Sequence, residues 1–162
     1  MQGGIFTYGL LAGLAIALLF AAFTDLRRRQ IDNWLNAGIA LAAPLLWLAS
    51  DQTWVDIAFH LAIAVTIFIV LASMFALGAM GGGDVKLLTA LALWIEPIGF
   101  VKLLVIMSVL GGLLTLVMAA IHFARKQKGR IAVPYGIAIS CAGLWVIFND
   151  YMSAIPSALL TG

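Results

Sequence analysis

The stretch GIFTYGLLAGLAIALLFAAFT, residues 4–24, carries no charged side chain and runs straight into Asp25-Leu26-Arg27-Arg28-Arg29. At 1.5 Å per residue a helix of this length rises about 30 Å, the hydrocarbon thickness of a bilayer. It lacks the basic start and small-residue cleavage site of a secretory signal, so it reads as a retained membrane helix. Similar apolar runs follow at Trp34–Ser50, Ile57–Ala79, Val85–Ile95, Val101–Phe123 and Ile131–Asn149. The expected fold is all-α, a polytopic membrane bundle of about six transmembrane helices forming one membrane-embedded domain over residues 1–162. Composition agrees: 64% of the 162 residues are hydrophobic and 10% charged, against about half and about a quarter in soluble domains. A formal charge of +2 is too small for a nucleic-acid binder. The single cysteine, Cys141, excludes a disulfide framework and a four-cysteine zinc module, and it reads as a small buried side chain.

Charge placement sets the orientation, because Lys and Arg are retained on the cytoplasmic side. Arg27 to Arg29 follow the first run, Lys86 the third, and Arg125, Lys126, Lys128 and Arg130 the fifth; only Lys102 falls on the other side. Asp51, Asp56, Glu96 and Asp150 occupy the opposite loops. Alternating helices then put both termini outside and three basic loops in the cytoplasm. Trp34 at the inner boundary and Trp47, Trp94 and Trp145 near the outer one read as interfacial belt residues. The loop from Arg125 to Arg130 is expected to meet anionic headgroups.

Three acids remain on the inner side: Asp25, Asp32 and Asp84. An ionisable group at membrane depth is costly and is a functional candidate. Each also has a structural reading. Asp25 can pair with Arg28 or Arg29 one helical turn away; Asp84, after glycines and before Val85-Lys86-Leu87-Leu88, and Asp32, before the second helix, have the form of N-caps. The run Gly81-Gly82-Gly83-Asp84 resists a bland account, since three glycines at membrane level leave amides unsatisfied unless the segment is buried or wet. Such a backbone can pair with an extended peptide or simply break a helix. It is not a phosphate loop, because Lys86 does not complete that spacing. The fourth run spans only about 16–18 Å, which sinks Asp84 below the interface and into a hydrated recess if the bilayer is not thinned there. Gly9 and Gly13, and Gly111-Gly112, read as close helix-packing sites, and His60 and His122 as helix-to-helix hydrogen-bonding residues rather than metal ligands.

These residues resemble the type IV prepilin peptidases, aspartic proteases of the cytoplasmic membrane. Asp25 through Trp34 is similar to the family's first catalytic stretch, an Asp, a basic segment and Ile-Pro-Asn, here ending Ile31-Asp32-Asn33 with Asp32 where the family has Pro. Gly81 to Asp84, followed by Lys86, resembles the GxGD motif, and Val133-Pro134-Tyr135-Gly136 resembles the element entering the last helix. No zinc or N-methyltransferase insertion is present, so the chain resembles the short, peptidase-only form associated with Flp-type pili. The resemblance implies Asp25 and Asp84 as catalytic residues. Gly81, Gly82, Gly83, Lys86, Asn33, Arg29, Pro134, Tyr135 and Gly136 are then expected to shape the site or bind substrate. It implies no metal or other cofactor, and as partners the lipid bilayer and a prepilin or pseudopilin precursor with a basic leader in the cytoplasm and an apolar helix in the bilayer. The competing expectations are a membrane scaffold or transporter subunit, and a GxGD intramembrane protease with another substrate.

Overall fold

The computed structural model describes residues 2–50, 52–125 and 133–152. These form α1 (Gln2–Arg28), α2 (Asn33–Ala49), α3 (Trp54–Ala76), α4 (Gly82–Ala92), α5 (Pro97–Ala124) and α6 (Tyr135–Ile147), which passes into a π-helical turn, Phe148–Met152. Helices α1, α3 and α5 are long and apolar enough to cross a membrane. The other three are shorter, and α4, with 11 residues, rises only about 16 Å.

Local chemistry explains several helix ends. Thr53 and Asp56 form a capping box that starts α3, each satisfying a free amide of the first turn. Pro97 sits in the first turn of α5, where its missing N–H costs nothing. Gly78 adopts φ +72° just beyond α3, a left-handed conformation that glycine accepts without a Cβ clash. Arg29 follows α1 at φ 53°, and its amide donates to the Asp25 carbonyl at 2.8 Å.

Helix α6 packs between α1 and α5, while α4 packs against α2, α3 and α6. Their shared core includes Leu18, Leu87, Leu91, Leu103, Ile139 and Val146, all but inaccessible. The turns after α1 and α3 meet the start of α6 at one end of the bundle, since Gly136 lies against Asp25 and Gly83 against Ile31. At the other end the Lys102 ammonium meets the Asp150 carboxylate at 2.8 Å. This is the alternating arrangement expected from the charges.

Several expectations are corrected. Helix α1 runs past Thr24 to Arg28, so Asp25 belongs to its last turn instead of following it. Helix α3 stops at Ala76, short of Ala79, and α6 begins at Tyr135 after the non-helical Val133 and Pro134; Ile131, where that helix was expected to start, lies outside the described residues, as do Asp51, Lys126, Lys128 and Arg130. Trp47 and Trp94 are buried rather than interfacial: their indoles donate to the carbonyls of Leu93 (3.0 Å) and Ile39 (2.7 Å). Trp34 is exposed, against the Phe20 ring, and Trp145 is half-exposed. A methyl group added at Gly9, Gly13 or Gly112 would meet nothing within 4 Å, so these are not packing sites; at Gly111 it would strike the Tyr135 ring. Cys141 is exposed on α6. His60 stacks on Trp47 and His122 packs edge-on against Phe123.

Candidate active site

Asp25 and Asp84 come from helices far apart in sequence and line one cavity of about 660 Å³ at the end of the bundle where the turns after α1 and α3 meet α6. Because Asp25 sits in the last turn of α1, its side chain is carried inward and is only 5% exposed. The start of α6 closes over it, with the amides of Gly136 and Ile137 directed at the carboxyl. One oxygen, Oδ2, remains buried without a hydrogen-bond partner. Buried polar atoms in native proteins are nearly always satisfied, so this oxygen, pressed against Gly136 beside the cavity, is an unrelieved cost in a carboxyl that a purely structural role would not need. The expected pairing of Asp25 with Arg28 or Arg29 does not form among the described residues; Arg29 contributes only its charge, from the cavity wall.

Asp84 occupies the third position of α4, and the N-cap expected of it is Gly81 instead. Its carboxyl folds back against Gly81, whose amide faces it. Asp84 lines the same cavity as Asp25, near enough for the Asp25 charge to bear on it. Asp32 is the N-cap residue of α2 but makes no side-chain capping bond; it lines the cavity as a third carboxylate.

The structure gathers Arg29, Asn33, Gly81, Gly82, Gly83 and Tyr135 around the same cavity. Three expected site residues stand outside its wall. Lys86 is exposed one turn along α4 and donates to Asn33 Oδ1 at 2.8 Å; Pro134 is the N-cap residue of α6; and Gly136 backs Asp25. A Cβ at Gly136 would lie 2.8 Å from Asp25 Oδ2 and 2.9 Å from Ile31 Cδ1, closer than such atoms approach. Only glycine lets α6 seat this deeply.

Ile31 was missed as a site residue. Its buried side chain wedges between Gly83 and Gly136, holding the starts of α4 and α6 at a common distance. Its signal was an isolated apolar residue in an otherwise polar loop. Gly111 and Thr115 on α5 were missed too: the Tyr135 ring rests on Gly111, and its hydroxyl meets Thr115 Oγ1 at 3.1 Å. Asn36, buried on α2, reaches the Gly83 carbonyl at a long 3.5 Å. Among the described residues no three of His, Cys, Asp and Glu gather as a metal-ligand cluster.

A model of the type IV leader peptidase family matches residues 12–120, a stretch containing both Asp25 and the Gly81 to Asp84 turn. The chain belongs to the type IV leader peptidase family. It is therefore a protease and a membrane protein. No curated protein and no solved structure matches it. The family match ends before α6, yet the beginning of that helix supplies the close contact to Asp25 and the Tyr135 wall of the cavity.

Proposed function

We propose that this leader peptidase is an aspartic endopeptidase that removes the leader of prepilin or pseudopilin precursors of Flp-type pili. It acts at the cytoplasmic face of the inner membrane, with both termini outside. The observation carrying this reading is that two carboxylates from separate helices, one with an unpartnered oxygen, share a single polar cavity.

The reaction needs one carboxyl of the pair ionised as base and the other protonated as acid. The ionised member takes a proton from a water lying between them. The resulting hydroxide attacks the scissile carbonyl while the protonated member donates to the carbonyl oxygen. As the C–N bond of the tetrahedral diol breaks, the first carboxyl gives its proton to the leaving amine and the second, now ionised, takes one from a diol hydroxyl, which leaves a carboxylic acid and restores the starting pair. Asp25 and Asp84 exchange roles over the cycle, and no nucleophilic side chain is consumed. The amides of Gly82 and Gly83, in the first turn of α4 at the cavity wall, have no helical carbonyl to donate to and are available to the backbone of the substrate.

A scaffold would have no use for the buried, orphaned oxygen of Asp25, which costs stability wherever it is not employed. The test is co-expression of a precursor with Asp25→Asn and Asp84→Asn variants, following the leader by gel shift. Both should leave the precursor uncut while inserting normally; clipping at the wild-type rate by either variant refutes the acid pair.

A further inference from the structure

A second cavity, of about 340 Å³, lies on the flank of the bundle. Its walls are two matching stripes: Asn33, Ala37 and Ala40 on α2, and Lys86 and Ala90 on α4 with Leu93, the C-cap residue of that helix. In each helix these positions recur every three or four residues over seven, so they face one way and run about 10 Å along the axis. Both helices begin at the carboxylate end, and the stripes therefore run in parallel away from the active site. Phe68 of α3 forms the far rim.

The groove exists because α2 and α3, consecutive in the chain, each pack on α4 rather than on one another. At the end far from the carboxylates, the stacked rings of Trp47 and His60 join them. Toward the carboxylates they part, leaving α4 as the floor of a cleft open to the surrounding lipid. Its exposed surface is almost wholly apolar, because Asn36 and Thr89, which also line it, donate to the carbonyls of Gly83 and Val85, while at the mouth Lys86 donates to Asn33. Asn33 borders this groove and the catalytic cavity alike, so the two adjoin at that residue. Lys86 meets no carboxylate among the described residues, and its charge stands at the junction.

We infer that this groove seats the apolar helix of the substrate, entering sideways from the bilayer, so that the segment leading into that helix passes Asn33 and reaches Asp25 and Asp84. The inference rests on the leader-peptidase reading and adds the route of entry. The alanine walls accept the large side chains of one helix face over about two turns. Lys86 then has a partner in a carboxylate or carbonyl group at the start of the substrate helix. A free lipid chain fills the same apolar space, but it has no reason to run on into the acidic cavity.

The experiment places a photo-crosslinking amino acid at Ala40, and as a control at Ile16, a lipid-exposed position of α1, in the Asp84→Asn background that retains uncut substrate. The probe is a precursor made of a basic leader joined to an apolar helix, co-expressed in the same membrane. Crosslinking of the precursor from Ala40 and not from Ile16 is the expected result. Crosslinks to lipid alone, or equal capture from both sites, overturn the groove. In the otherwise wild-type enzyme, Ala40→Phe fills the groove and should lower precursor cleavage by about tenfold while the isolated protein melts as before; unchanged cleavage also overturns it. If the wild-type enzyme clips the precursor and Ala40 captures none, only the groove fails. If the wild-type enzyme does not clip it, the peptidase reading has failed first.

Discussion

Substitution of Gly136 by alanine tests how the active site is held together. The new Cβ would stand 2.8 Å from Asp25 Oδ2 and 2.9 Å from both Asp25 Cγ and Ile31 Cδ1, whereas ordinary contact begins at 3.4 Å. The differences, 3.4 − 2.8 = 0.6 Å and 3.4 − 2.9 = 0.5 Å, must be made up by movement. The start of α6 is pinned by Tyr135 on Gly111 and by Thr115, so the Asp25 carboxyl and Ile31 give way. A 1 Å misplacement of a reacting group costs about 100-fold in rate; half that displacement, in logarithmic proportion, costs about tenfold. Stability should change less, because an overpacking penalty of about 1–3 kcal/mol is opposed by about 1 kcal/mol gained when alanine replaces glycine in a helix. The assay is precursor cleavage by purified enzyme in detergent, with thermal unfolding measured on the same sample. Gly112→Ala, where a Cβ meets nothing within 4 Å, is the matched control and should cleave normally. Wild-type turnover by Gly136→Ala would show that the position of Asp25 does not depend on the seating of α6, and the account of the site would fall.

Other outcomes follow from the same contacts. Gly111→Ala would put a Cβ 2.8 Å from the Tyr135 ring, so it should push Tyr135 into the cavity and away from Thr115, raising KM for the precursor more than it lowers kcat. Ile31→Ala empties the wedge between Gly83 and Gly136 and should cost about 2–5 kcal/mol of stability, read as a lower Tm in detergent. Trp94→Phe removes a buried indole donor from the Ile39 carbonyl and should lower stability by about 1 kcal/mol, read as a lower Tm, with little change in cleavage. Lys102→Ala breaks a partly exposed ion pair far from the cavity, so both Tm and cleavage should stay near wild type, the pair contributing about 1 kcal/mol at most.

Hydropathy revealed the helices and their alternation, because a span must be apolar along its whole length and the basic residues crowd one side. It could not reveal which face of a helix meets protein. When lipid and core are equally apolar, Leu18, which is fully buried, and Ile16, which is 68% exposed, look alike in sequence. The same ambiguity misplaced Trp47, Trp94 and Cys141, and it gave Gly9 and Gly13 a packing role that open space around them denies. Asp25 and Asp84 were legible because so few charges are present. Their surroundings were less so. That α6 covers the Asp25 carboxyl is a contact between helices more than a hundred residues apart, and Ile31 acquires its role only when α4 and α6 arrive on either side of it.

The central claim is that Asp25 and Asp84 work as one acid–base unit. Rates of precursor cleavage by Asp25→Asn, Asp84→Asn and the double variant, each confirmed folded by thermal unfolding, test it most directly. Groups that act as a unit are non-additive, so each single variant should lose essentially all turnover and the double variant should be no slower than either. Substantial residual cleavage by one single variant, with a further proportional loss in the double, would contradict the account.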